Sequence, residues 1–126
     1  MKSREGTIRS KRFEIEDKQR QVGQIESMIE EFGRMIGDLD HEIAAEHRRT
    51  GIDDENHFAY STFARAAQQR RENLQTSVSD LQHQLDTAAA SLDLAQAELV
   101  HEQDRHERET GEIPGVSDER TANSAA

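Results

Sequence analysis

A seven-residue repeat of β-branched side chains is the feature of this chain that most limits its fold. The six residues that carry it are Ile8, Ile15, Val22, Ile29, Ile36 and Ile43. Between them, the second position of the repeat is occupied by Lys11, Lys18, Ile25, Phe32 and Leu39. Apolar residues at alternating steps of three and four form one narrow stripe along an α-helix. The pattern therefore predicts a long helix that packs through a single coiled-coil seam.

A second stripe follows an acidic connector. Its members are Tyr60, Phe63, Ala67, Arg70, Leu74, Val78, Leu81, Leu85, Ala88, Leu92, Ala95 and Leu99. Two successive steps of four, from Arg70 to Leu74 and from Leu74 to Val78, make a stutter, which locally unwinds a supercoil. If the chain turns near Asp53, the two stripes face each other and end together. We therefore predict an all-α fold, with two long helices forming an antiparallel coiled-coil hairpin.

The larger apolar residues of the two stripes, from Ile8 to Ile43 and from Phe63 to Leu99, form the predicted core. Thr50 and Gly51 are a typical helix stop, and a glycine and proline follow Thr110 closely. These signals place one helix at about 3–49, a turn at about 50–60 and a second helix at about 61–110. Residues 111–126 are small and polar, which predicts a disordered tail.

The composition agrees with two helices that each bury one stripe. Only 33% of the chain is hydrophobic, the mean hydropathy is −0.97, and there is neither Trp nor Cys. The absence of cysteine excludes disulfides and thiolate metal sites. No stretch reaches the length of about 18 apolar residues that spans a bilayer, and the amino terminus lacks the apolar run of a secretory signal. We therefore expect a soluble cytoplasmic protein.

The charge is strongly negative but unevenly distributed. A formal net charge of −10 argues against general nucleic-acid binding. Residues 1–20, however, hold seven basic side chains and only four acidic ones. The chain is therefore locally basic where its first helix begins.

No catalytic or metal-binding motif is present in the sequence. His101 and His106 are five residues apart, whereas the zinc-peptidase helix needs a spacing of four. The connector acids lack the alternating ligands and the closing Glu of a calcium loop. Phosphate-binding glycine loops and nucleophile elbows are also missing. We predict no catalytic residue, no metal site and no cofactor, and we read the histidines as solvated.

The strongest candidate for a contact surface lies near the amino terminus. If Ile8 and Ile15 lie on the seam, Phe13 lies on the outer face of the helix, beside basic residues. Exposed aromatic and Arg side chains are typical of interface anchors. The alternative is a frayed helix end on which the ring packs loosely. The predicted partner-binding residues are Arg4, Arg9, Lys11, Arg12 and Phe13.

Four other side chains have a packing interpretation that competes with a binding role. Met28 and Met35 flank the seam at equal heptad positions, which favours packing at the edge of the core. Phe58 and Tyr60 lie next to the connector, where we expect both rings to pack down as a cap on the hairpin. A role in binding a partner is the second interpretation of each pair.

Three phrases of the sequence resemble a known family. The opening MKSRE, the phrase HFAY after the acidic connector and the following ARAAQQRRENL resemble the FliJ family of bacterial flagellar export proteins. The resemblance covers about residues 1–110. It implies a two-stranded antiparallel coiled coil similar to the central stalk of rotary ATPases. It also implies binding to the hexameric ATPase of the flagellar type III export apparatus, to the export gate and to export chaperones.

The function expected from this resemblance is a non-enzymatic stalk and escort in protein export, needed for flagellum assembly and motility. The protein would lie at the cytoplasmic face of the inner membrane and reach it only through its partners. The end that carries both termini, with Arg4, Arg9, Lys11, Arg12 and Phe13, would enter the ATPase ring. The alternative is a structural coiled-coil adaptor or chaperone-like protein unrelated to export, with self-association through the seam. An enzyme is the least favoured class, because a two-helix rod offers no enclosed pocket.

Overall fold

Two long α-helices packed against each other make up the fold. The computed structural model describes residues 4–111, with α1 at Arg4–Thr50 and α2 at Thr62–Thr110. Over these residues there is no strand. The predicted all-α hairpin is thereby confirmed. The predicted disordered tail lies outside the described residues from position 112 onward.

The ends of the helices at the connector follow from local chemistry. Gly51 has a φ of 74° and donates its backbone N–H to the carbonyl oxygen of His47 at 2.8 Å. This is a left-handed cap, which glycine adopts without the steric cost that a Cβ brings. At the other side, the Ser61 Oγ accepts a hydrogen bond from the backbone N–H of Ala64 at 3.1 Å, the usual role of a serine N-cap.

The packing divides the hairpin into two compact units, each with parts of both helices. The turn unit comprises residues 22–87, and the terminal unit comprises residues 4–21 and 88–111 of the described range. In the turn unit, Leu39, Ile43 and Ala67 form a buried cluster with Leu74 packed against it. In the terminal unit, Ile8, Ile15 and Ala95 are buried.

The remaining predicted core positions are only partly covered. Half-buried side chains of this set are Val22, Ile25, Ile29, Phe32, Ile36, Leu74, Val78, Leu85, Leu92 and Leu99, whereas Leu81 is buried. Two helices cover each stripe from one side only, so a large side chain on the stripe keeps an edge in solvent.

The start of the second stripe differs from the prediction by one residue. Phe63 is 52% exposed, so its assignment to the core was wrong, and Ala64 is fully buried in its place. Arg70 is likewise exposed, whereas Arg71 is half-buried and donates to the Asp40 carboxylate at 2.8 Å. Small residues allow helix backbones to approach closely, and a phenylalanine ring would not fit where Ala64 lies.

This shift removes the predicted stutter. The covered stripe begins at Tyr60 in the connector and continues along α2 at Ala64, Ala67, Arg71, Leu74, Val78, Leu81, Leu85, Ala88, Leu92, Ala95 and Leu99. Its steps alternate between four and three without interruption, which is the unbroken heptad repeat of a coiled coil. The stutter arose from choosing the aromatic residue at position 63 over the smaller one beside it.

Stability measurements should distinguish a buried seam residue of the turn unit from Phe63, which the structure places outside the core. Leu39→Ala removes a buried side chain and should lower the free energy of unfolding by about 2–5 kcal/mol. Phe63→Ala removes a half-exposed ring and should change it by about 1 kcal/mol or less. Urea unfolding followed by circular dichroism measures both, and equal losses would contradict the one-residue shift.

Glycine substitutions should have opposite effects within one helix and at its cap. A Cβ at Gly33 would meet no atom within 4 Å, so Gly33→Ala should raise the free energy of unfolding by up to about 1 kcal/mol through helix propensity. Gly51→Ala places a Cβ at φ of 74° and should lower it by about 1 kcal/mol. Thermal melts of both variants check the signs, and a destabilising Gly33→Ala would contradict open space at that site.

Candidate interaction surfaces

In the terminal unit, three basic side chains occupy seam positions at seven-residue spacing. They are Arg4, Lys11 and Lys18, and each reaches across to α2. Arg4 binds the Glu102 carboxylate at 2.6 Å and the Glu109 carboxylate at 2.9 Å. These hydrogen bonds, to Glu109 first and then Glu102, raise the pKa of Arg4, and those from Arg4 lower the pKa of both carboxyls. Arg4 was not predicted to lie on the seam.

The two lysines of this series have similar contacts. The Lys11 Nζ lies 2.6 Å from Glu98 and 3.1 Å from Glu14, and these hydrogen bonds raise the pKa of Lys11. The Lys18 Nζ donates to the Ser91 Oγ at 2.7 Å. The predicted partner-binding set therefore divides in two, because Arg4 and Lys11 already bind carboxylates of the neighbouring helix.

Three members of the predicted set point away from α2. Phe13 is 70% exposed, and Arg9 and Arg12 are exposed beside it. Neither arginine makes an ion pair with another residue of the described range. Because residues three and four apart share one side of a helix, these side chains form a common surface, called here the outer α1 face.

The outer α1 face lies on an ordered helix. Helix α1 already begins at Arg4, and both Ile8 and Ile15, on either side of Phe13, are buried against α2. The exposure of Phe13 thus comes from its position on the helix, which is opposite to the seam. A frayed end does not account for it.

The connector presents a second exposed aromatic side chain. Phe58 is 97% exposed and stacks on His57, with ring centroids 4.8 Å apart. Two consecutive tight turns, closed by His57 N–H to Asp54 and Tyr60 N–H to His57, hold the ring outward. The expectation that Phe58 packs down was wrong, whereas Tyr60 is buried as expected.

A polar network fastens the connector to both helices. The Tyr60 hydroxyl lies 2.7 Å from His47 Nε2, and Glu46 accepts hydrogen bonds from Arg49 and from the Ser61 hydroxyl. These bonds, with Arg49 contributing most, lower the pKa of Glu46 to about 2. Burial raises the pKa of Tyr60. The connector is therefore held in one conformation by hydrogen bonds to both helices.

Metal-binding and membrane-spanning features are absent from the part of the chain that the structure describes. Within residues 4–111, no three His, Asp or Glu side chains are grouped so that they could hold a metal ion. No helix there combines the length and the apolar character needed to cross a bilayer. An open groove of about 420 Å³ in the terminal unit is bordered by Lys11, Glu98 and Glu102, whose charges are already paired.

Comparison with known proteins adds no relative. The chain matches no family model, no curated protein and no solved structure. The exposed surfaces of the two units and the resemblance of the three sequence phrases are therefore the basis for a functional proposal.

The Glu46 network should make stability depend on acid pH. The pKa of this carboxyl is lowered from 4.5 to about 2, so its stabilisation is present above pH 4.5 and is lost as the pH falls toward 2. We expect the melting temperature to drop across this window. Glu46→Gln should lower the melting temperature at pH 7 and make the acid-induced drop smaller.

Thermal melts at stepwise pH measure this effect, with Glu16→Gln as a matched control on an exposed carboxylate. Part of the drop should remain in Glu46→Gln, because Glu102 and Glu109 also have lowered pKa values. An unchanged pH profile in Glu46→Gln would contradict the role of this network.

Proposed function

We propose that this protein is a non-enzymatic coiled-coil component of the flagellar type III protein export apparatus. In this proposal the terminal unit docks on the hexameric export ATPase, and the protein couples that ATPase to the export gate and to export chaperones. The observation that carries the proposal is the outer α1 face, on which the exposed Phe13 lies beside two arginines without ion-pair partners among the described residues. The resemblance to the FliJ family, over about residues 1–110, supplies the identity of the partner.

The chemistry of the outer α1 face suits a protein partner. A phenylalanine inserted in an apolar pocket gains hydrophobic burial, and arginines at its border form ion pairs with carboxylates. The seam contacts of Arg4 and Lys11 support this role indirectly, since they tie α1 to α2 and keep the face on a fixed helix. Charge attraction at an exposed border is screened by salt, so binding should weaken as ionic strength rises.

The connector offers the second contact that a coupling function needs. Phe58 is almost fully exposed next to Asp53, Asp54 and Glu55. We assign this aromatic and acidic surface to the gate or chaperone side of the coupling. In this proposal the protein remains in the cytoplasm and reaches the inner membrane only through its partners.

A structural adaptor unrelated to export is the alternative function. The half-buried stripe residues of the turn unit favour it, because such residues can also pack against another coiled coil. This alternative predicts self-association through the seam and indifference to charge changes at Arg9 and Arg12.

The proposal is tested by ATP hydrolysis of the flagellar export ATPase with and without this protein, at low and moderate salt. We expect stimulation that weakens as salt increases. Absence of stimulation, together with absence of co-elution on a sizing column, would overturn the proposal and favour the adaptor.

Substitutions on the outer α1 face test whether this surface makes the contact with the ATPase. Arg12→Glu and Phe13→Ala should each reduce the stimulation at least about tenfold, because each removes an interface anchor. Arg34→Glu is the matched control, since this arginine is exposed on α1 but lies in the turn unit. Circular dichroism should show unchanged helicity in all three. Equal loss in Arg12→Glu and Arg34→Glu would point to net charge rather than to the outer α1 face.

A further inference from the structure

Two hollows in the turn unit repeat along one edge of the hairpin. The first has a volume of about 250 Å³ and is lined by Met28 and Phe32 from α1 and by Leu81 from α2. The second has a volume of about 190 Å³ and is lined by Met35 and Leu39 from α1 and by Leu74 from α2. Each of these three residues in the first hollow has a counterpart in the second hollow that is seven positions away in the sequence. Together they are called here the methionine groove.

The methionines lie at the edge of the core and keep part of each side chain in solvent. Met28 is 45% exposed and Met35 is 42% exposed, and both border the hollows. Methionine has a flexible and polarizable side chain that adapts to the shape of an apolar partner. Exposed methionines beside leucine and phenylalanine are therefore suited to receiving apolar side chains from another molecule.

The spacing of the hollows identifies the shape of the occupant. Seven residues of an α-helix correspond to about 10.5 Å along its axis. A helix lying along α1 presents side chains seven residues apart at the same interval, so one side chain can enter each hollow. An extended strand or an irregular loop has no such repeat.

The surrounding charge identifies the chemistry of the occupant. Asp80 borders the first hollow, Asp38 and Glu42 border the second, and Arg70 is the one basic residue among the lining side chains. The turn unit as a whole, residues 22–87, contains thirteen acidic side chains and six arginines, with no lysine. A helix with basic residues beside its apolar stripe is attracted to this surface. A second copy of the turn unit is repelled by it.

We propose that the methionine groove binds a basic amphipathic helix of a partner protein, with apolar side chains seven residues apart in the two hollows. This binding site is distinct from the outer α1 face, which belongs to the terminal unit. It does not depend on the export function, and the experiment below requires no ATPase.

The test uses a designed helical peptide of three heptads, with leucines at seven-residue spacing and lysines at the flanking positions, titrated by fluorescence anisotropy. We expect saturable one-to-one binding to the full chain. Replacing the lysines of the peptide by glutamates, or its leucines by serines, should weaken binding at least about tenfold.

Paired protein variants separate the groove from general charge attraction. Met28→Lys with Met35→Lys should weaken peptide binding at least about tenfold. Leu94→Lys with Val100→Lys is the control, because it adds the same charge at exposed apolar positions of the terminal unit and should leave binding near that of the wild type. Equal weakening in both pairs would overturn the proposal.

Sedimentation of the protein without peptide tests whether a second copy of this chain occupies the methionine groove. We expect the wild-type protein to sediment with the mass of a single chain. The Met28→Lys, Met35→Lys variant should do the same. A dimer that dissociates in Met28→Lys with Met35→Lys would show that a second copy occupies the groove, and this result would also overturn the proposal.

Discussion

Burial along one narrow stripe of each helix is the interaction on which this structure depends. Because α1 and α2 have only each other to pack against, the residues that become fully buried are few, and three of them are alanines: Ala64, Ala67 and Ala95. Small residues let the two backbones approach, and the larger aliphatic side chains pack around them. Every other side of both helices faces solvent.

Polar contacts replace apolar ones where the stripe of α1 becomes basic. In the terminal unit, Ile8 and Ile15 alternate with Arg4, Lys11 and Lys18. The methylene stems of long basic side chains cover apolar surface while their charged groups reach carboxylates or a hydroxyl on α2. The same arrangement explains why a basic amino-terminal stretch does not form one continuous basic patch. Among the basic side chains within residues 4–20, only Arg9 and Arg12 make no ion pair, since Arg20 also faces solvent but pairs with Asp17.

The heptad spacing was sufficient to predict two antiparallel helices and most of the covered positions. It could not choose between Phe63 and Ala64, because both fit a helical step and hydrophobicity favours the larger residue. Close approach of the two helix backbones favours Ala64. The distance between the backbones depends on tertiary packing and is not visible in the local sequence. The outward ring of Phe58 was missed for a related reason, since it follows from two tight turns whose hydrogen bonds are not encoded in a periodic pattern. The exposure of Phe13, by contrast, followed directly from its place in the heptad.

The polar network at the connector also sets an order of formation. Its bonds join residues that are close in the chain, with 13 positions between His47 and Tyr60 and 15 between Glu46 and Ser61, whereas Arg4 and Glu109 are 105 positions apart. Closing a short loop costs less chain entropy than closing a long one, and local contacts form faster. We therefore expect pairing to begin at the connector and to proceed outward, so that the terminal unit closes last. The outer α1 face, which we propose as the docking surface, then lies on the part of the hairpin that is the last to assemble.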